Sequence, residues 1–340
     1  MWGIPRFSMP EGSEVVGRQG DDYRITVSVP ADDDGFIGRQ CPECQLLFRM
    51  DAEDYEPLPD DLVLWCVYCG HSQEHSEFMT AQQHDRMMRA AEEFGSQLVR
   101  QELDGIFDSL ARSTPRNSPI SISYSTEPHY PRPLPGIDEE RLARIRTCTS
   151  CQVKYAVFGE HRYCPVCGQL PAATVAHDAL QADTARLDAL DAIPAGAKTV
   201  LREQGVFTRS WVDTIENVVG IVETLSSALF QANVTDADAR LKGKGNVFQR
   251  LDDMADLLVA ASYGDLRQSV DQSTWQRLNE TWAARHAFTH NDGRVDQKYL
   301  AKVPDSAARI GQRLTISDTD SRQAIAAATT LCDAIIRLFS

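Results

Sequence analysis

Residues 148–168 read CTSCQVKYAVFGEHRYCPVCG. Two C-x-x-C pairs, Cys148/Cys151 and Cys164/Cys167, are separated by twelve residues. Each pair makes a tight knuckle whose backbone amides donate to thiolate sulfurs, and two knuckles together close a tetrahedral four-cysteine site. Residues 41–70 carry a second set, Cys41/Cys44 and Cys66/Cys69, across a longer acidic loop, DAEDYEPLPDD at 51–61, which reads as a solvated loop. The two sets repeat each other. CPECQLLF and CTSCQVKY share C-x-x-C-Q-x-x-aromatic, and WCVYCG and YCPVCG share aromatic-C-x-x-C-G. Pairing within each set is the simple assignment; Cys41 and Cys44 sharing an ion with Cys164 and Cys167 is the alternative. Four thiolates fill the coordination sphere, so two structural zinc ions are expected, with no open position for catalysis and no role for His71 or His161 as ligands.

The modules resemble zinc ribbons, small antiparallel sheets that need metal to fold. The N-terminal stretch MWGIPRFSMPEGSE lacks a charged-then-apolar leader pattern, and no apolar run nears the ~20 residues that span a bilayer. Cysteines paired at this spacing in such a chain point to metal before disulfide. A soluble, cytoplasmic protein without membrane contact is expected. The chain has 340 residues, 42% of them hydrophobic, and a net charge of −15. That allows several domains with cores, and it excludes a global basic field for nucleic acid while leaving room for a local basic cleft.

Around the modules, DYRITVSV at 22–29 alternates as a strand, and residues 77–112 recur helically as one long helix or two short ones, weakened at Gly95 and Gly105. A turn is read over 113–119, a strand over 120–124, and a short helical run over ERLARIR at 140–146. From 175 onward the pattern is helical. Leu180, Leu187 and Leu190 mark one helix. Trp211, Ile215, Val218, Val222, Leu225 and Leu229 form the clearest core-facing stripe. Phe248 to Leu258 make a third helix, Trp275 to Trp282 begin a fourth, Val295 to Val303 a short one, and Ile325 to Phe339 the last, with Cys332 on its apolar side as a buried thiol. The expected architecture is multidomain α+β: N-terminal strands and a first zinc ribbon at 1–78, a helical connector at 79–113, a second ribbon at 114–171, and an all-α bundle at 172–340.

The fourth helix carries the candidate chemistry, in TWAARHAFTHNDGRVDQKYLAKV at 281–303. Arg285 flanks an apolar stripe, where a bare charge is costly. His290 follows five residues later, and Asn291-Asp292-Gly293 reads as a helix-ending turn. In one continuous helix Arg285 and His290 point roughly 140° apart; a helix ending near His290 lets them converge on one cleft. The plainer reading pairs Arg285 with a buried carboxylate and makes His290 a cap. Arg240, Lys242 and Lys244 form a second basic stretch, in a Gly-rich loop.

Arg285-x4-His290, with the polar His286 after the arginine, resembles the signature of the HEPN-domain ribonucleases over about 175–340. The resemblance implies a helical bundle, a homodimer with the motif near its interface, and cleavage of RNA without metal. Carried over, Arg285 holds the phosphate, His290 moves the proton, and His286 and Asn291 tune or position them. An endoribonuclease of the toxin or antiviral-defence type, with zinc ribbons as structural or sensing modules and a regulatory protein partner, is the first expectation. The alternatives are a catalytically silent HEPN-like domain that binds nucleotide or protein, and a zinc-ribbon adaptor dimerised by its bundle.

Overall fold

The computed structural model describes residues 7–113, 125, 129–142 and 144–340. The turn and strand read over 114–124 lie outside them. The chain is α+β and divides into two compact units. One holds the described residues up to Phe158 together with Tyr163–Gly168, and the other holds Gly159–Arg162 and Gln169–Ser340.

The first unit begins with an antiparallel hairpin of β1 (Ser13–Gln19) and β2 (Asp22–Val27), its register shifted between Val15 and Gly17. Four more strands then build one antiparallel sheet. β3 (Phe36–Gln40) pairs with β4 (Leu47–Asp51), and after the short α1 (Ala52–Tyr55), β5 (Val63–Trp65), β6 (Ser72–Glu74) and the long α2 (Ala81–Ser113), β7 (Arg144–Thr147) pairs with β8 (Lys154–Val157). β4 and β8 meet in the middle through Arg49↔Ala156 and Met50↔Tyr155, giving the order β3-β4-β8-β7. The two cysteine modules therefore share one sheet, each giving it a hairpin. Arg49 is buried beneath it, ion-paired to Asp32 and hydrogen-bonded to the Leu142 carbonyl, with its guanidinium 5.0 Å from the Phe36 ring. A buried charge needs this full set of partners to be tolerable.

Two local readings change. Residues 144–147 are a strand rather than part of a helix, because a run of this length gains more from the β8 ladder than from a helical nucleus it cannot extend. The acidic loop begins as the helical turn α1, whose first amides are capped by the Asp51 carboxylate. The segment before the second module is one helix, α2, running through Gly95 and Gly105. Phe7, Tyr23 and Phe94 pack as a ring cluster, with centroids 4.8–5.6 Å apart, and hold the hairpin on its side.

The second unit follows the short strands β9 (Tyr163–Cys164) and β10 (Gly168–Gln169) and is helical. Its helices are α3 (Ala172–Ala192), α4 (Ala195–Glu203), α5 (Val206–Asn233), α6 (Ala237–Leu241), α7 (Leu251–Ala260), α8 (Leu266–Ser269), α9 (Gln272–Asn291), α10 (Gln297–Lys302) and α11 (Asp318–Leu338). The core lies between α3, α5, α9 and α11, where Val218, Val222 and Leu225 of α5 meet Leu278 and Trp282 of α9 and Leu331 and Ile335 of α11. Ion pairs from Arg322 to Asp188 and Asp191, at 2.6 and 2.8 Å, join α11 to α3. No helix among the described residues is long and apolar enough to cross a membrane.

Candidate metal centres and the α9 surface

The cysteines gather within each set. Cys41, Cys44, Cys66 and Cys69 form one cluster, and Cys148, Cys151, Cys164 and Cys167 the other, with all sulfurs of a cluster within 4.8 Å of one another. Sulfur–sulfur separations are 3.7 Å for Cys41–Cys69, 3.6 Å for Cys44–Cys66, 3.9 Å for Cys148–Cys167 and 3.6 Å for Cys151–Cys164. A disulfide would need about 2.05 Å. Four sulfurs at about 2.3 Å from a central ion in a tetrahedron stand about 3.8 Å apart, so the donors fit one closed metal site per cluster. Burial pushes the thiols of Cys66 and Cys164 well above their ordinary range, and a cation among the sulfurs would offset that cost.

The repeat in the sequence has a geometric basis. Gln45 and Gln152, each directly after a first knuckle, both have left-handed backbones, φ 62° and 66°. Each turns its amide back onto its own knuckle, Gln45 to the Pro42 carbonyl at 2.7 Å and Gln152 to the Thr149 carbonyl at 3.0 Å. The second knuckles of the two modules lie against each other. The Trp65 amide donates to the Pro165 carbonyl at 2.8 Å and the Tyr163 amide to the Val67 carbonyl at 3.1 Å. The Trp65 and Tyr163 rings stack at 6.1 Å with planes 7° apart. Gly70 lies under Tyr163 and Gly168 under Trp65, both with positive φ, so each glycine leaves room for the other module's aromatic ring. His71 and His161 belong to neither cluster. His71 contacts Gln73, and His161 is buried and joined to Asp178 at 2.7 Å.

The candidate nuclease residues all fall within α9. The helix is capped at its start by Asp271, whose carboxylate accepts from the Thr274 amide, and it continues to Asn291. Asp292 and Gly293 then turn left-handed, φ 50° and 70°, and the Gly293 amide closes onto the Ala287 carbonyl at 2.9 Å. The turn falls where Asn291-Asp292-Gly293 was read, and because His290 is still helical, Arg285 and His290 lie about 140° apart around one continuous helix. The convergence expected of them within one chain is absent. What the helix does bring together is His286 and His290, one turn apart with ring centroids at 4.9 Å, both exposed. The His286 imidazole is held below its ordinary pKa by partial burial, by His290 and by Lys298, so it is neutral at pH 7.

Arg285 is half-buried and makes no hydrogen bond or ion pair among the described residues. Glu280, five residues before Arg285 on the same helix, is ion-paired to Arg277 at 2.7 Å. Asn291 donates to the Arg294 carbonyl at 2.7 Å and so serves the helix-ending turn. In the Gly-rich stretch, Arg240 is bound to Asp236 and to the Ala260 carbonyl, which leaves the fold as its main use.

Sequence reasoning missed a buried polar group between α3 and α5. Asp183 pairs with Arg186 at 2.7 Å, and Arg186 reaches the Thr214 hydroxyl at 2.9 Å. Asp183 Oδ2, Arg186 Nε and Ser210 Oγ have no hydrogen-bond partner among the described residues. An i, i+3 Asp-Arg pair inside an apolar helix pattern is the only signal of it in the sequence. Compared with known proteins, the chain matches no family model, no curated protein and no solved structure.

Proposed function

We propose that the protein is a metal-independent endoribonuclease acting as a homodimer, with zinc in both four-cysteine clusters as a structural ion. The observation that carries this reading is the last part of α9: two exposed histidines in ring contact and, turned to another side of the same helix, an arginine whose side chain has no partner among the described residues. A guanidinium left free in a half-buried position is suited to a phosphate oxygen pair. His290 takes the proton from the ribose 2′-OH, the 2′-oxygen attacks the phosphorus, and Arg285 stabilises the charge of the phosphorane. The 5′-oxygen leaves with a proton from an imidazolium, giving a 2′,3′-cyclic phosphate. His286, neutral at pH 7, adjusts the proton affinity of His290. Asn291 holds the turn that ends the helix. The resemblance of Arg285-x4-His290 to the HEPN ribonucleases supports the same assignment.

Because Arg285 and His290 point to different sides of α9, the working site needs Arg285 from one copy and His290 from the other. Cleavage of labelled single-stranded RNA is expected in the presence of magnesium-binding chelator too weak to strip thiolate-bound zinc, and DNA should resist. His290→Ala and Arg285→Lys should each lose activity at least tenfold while retaining the dimer seen by light scattering. An equimolar mixture of Arg285→Ala and His290→Ala chains, refolded or exchanged together, should regain about a quarter of wild-type activity, since random pairing makes half the dimers mixed and each mixed dimer has one complete site of two. RNA cut equally well by His290→Ala would refute the mechanism; no recovery on mixing would refute the shared site. The angle between Arg285 and His290 also suits the silent binding domain, for which wild-type protein would bind RNA or nucleotide without cutting it.

A further inference from the structure

A cleft of about 200 Å³ lies along another side of α9. Arg277, Glu280 and Ala284 of that helix line it, Tyr299 of α10 closes one wall, and the chain from Val303 to Ile316 closes the rest. Its floor is apolar, made where Ile215 and Ala284 pack with Leu314 and Ile316. Polar groups stand at its rim. Two of the three rim carboxylates are already engaged: Glu280 by Arg277 at 2.7 Å, and Asp320 by the hydroxyl of Ser317, also at 2.7 Å. Asp305 is exposed and receives only a long contact, 3.5 Å, from Gln276.

An apolar floor, a half-buried phenol ring and one free acceptor suit a flat ring bearing an amino donor. They do not suit an anion, and the single uncommitted carboxylate is too little for a bare cation. The volume is below the ~300–1,000 Å³ of pockets that enclose a whole small molecule, so one ring enters and the rest of its molecule stays outside. Outside the lining, Arg285 follows Ala284 and Lys298 precedes Tyr299 in the chain; both act on the His286 imidazole, and neither has an ion-pair partner among the described residues. Cations of this kind position a phosphate backbone without reading its sequence.

We infer that this cleft is a nucleobase pocket, which takes one base of single-stranded RNA with its ring against Tyr299 and its amino group on Asp305, the strand continuing around α9 toward Arg285 and Lys298. The choice of RNA as ligand rests on the ribonuclease reading above. The pocket discriminates among bases. Cytosine and adenine offer an exocyclic amino group to Asp305, whereas uracil presents a carbonyl oxygen at the corresponding edge and meets the carboxylate with repulsion.

The test is fluorescence polarisation of labelled eight-nucleotide oligo-C, oligo-A and oligo-U on full-length His290→Ala protein at one fixed salt concentration. Oligo-C and oligo-A should bind at least about five times more tightly than oligo-U, the lower end of what a base-edge contact supplies. Asp305→Asn, an exposed change that the fold tolerates, should bring that ratio close to one, because an amide both donates and accepts. Equal binding of the three oligonucleotides, an unchanged ratio in Asp305→Asn, or no binding of any of them overturns the pocket. Competition by free CMP at the concentration where oligo-C competes would overturn RNA as its occupant. The cleavage assay is separate. Wild-type cleavage with no base preference sinks the pocket and leaves the ribonuclease, and base preference without cleavage does the reverse.

Discussion

At the residue scale, Gly70 and Gly168 show why a repeated letter in a sequence is kept. Both have positive φ, and a Cβ would stand 2.4 Å from the Tyr163 ring at Gly70 and 3.0 Å from the Trp65 ring at Gly168. Either glycine to alanine forces a strained backbone and separates the stacked rings, at a cost of roughly 1–3 kcal/mol. We expect Gly70→Ala and Gly168→Ala to lower the temperature at which metal is released to a chromogenic chelator by about 5 °C or more. Gly95→Ala is the control: nothing lies within 4 Å of its Cβ in the middle of α2, so it should be neutral or slightly stabilising. Identical release curves for all three would show that the ring exchange contributes nothing to stability. The sequence displayed the glycine after each second knuckle. It did not display that each one serves the other module's aromatic residue. Cys332 was legible outright, since an apolar helical stripe implies burial, and that burial pushes its thiol up to about 12.

At the scale of the element, helices were read more reliably than their limits. The stripe of α5 has Ile215, Val218, Val222 and Leu225 all buried, as the 3.6-residue period requires. α9 ends at Asn291, where the Asn291-Asp292-Gly293 turn was read, and His290 stays within its last turn because Asp292 and Gly293 supply the left-handed residues only after it. The pairing of α3 with α5 carries a pH dependence. Burial pushes the Asp183 carboxyl up to about 6, against the pull of Arg186 and Asn217. A group more easily protonated in the folded chain than in the unfolded one stabilises the fold fully below its unfolded pKa, and that contribution is lost as pH rises through its folded pKa. The α3–α5 contact should therefore weaken between pH 4 and pH 7, by on the order of 2 kcal/mol. Amide-exchange protection in both helices, corrected for intrinsic rates, should be higher at pH 5 than at pH 7. Asp183→Asn should abolish most of that difference; an unchanged difference would assign it to other groups.

At the scale of the whole molecule, the four-cysteine clusters lie in one unit and the candidate nuclease surface in the other. Metal removal should divide them. Elemental analysis should find two zinc ions per chain, and Cys164→Ser should leave one. Strong chelation should open the shared sheet, while most of the 222 nm ellipticity remains, since the α3–α11 core holds no cluster cysteine. One ion or none in the wild-type protein would argue against paired structural sites. The sequence by itself determined the two four-cysteine sets, the helical second half and the stripes that form its core, because cysteine spacing and helical period are local properties of the chain. It left open whether the knuckles pair within or between sets, and it gave the strand at 144–147 as part of a helix. The knuckles gather within sets, and 144–147 is a strand through its hairpin with β8, while the joining of the two modules was decided by the β4–β8 pairing and the Trp65–Tyr163 stack, contacts between residues about a hundred positions apart. The same holds for the functional surface. The Arg285-x4-His290 spacing is written in the chain, but where each side chain points depends on which residue ends α9, and the cleft beside it exists only because the 303–316 segment folds back over Ala284.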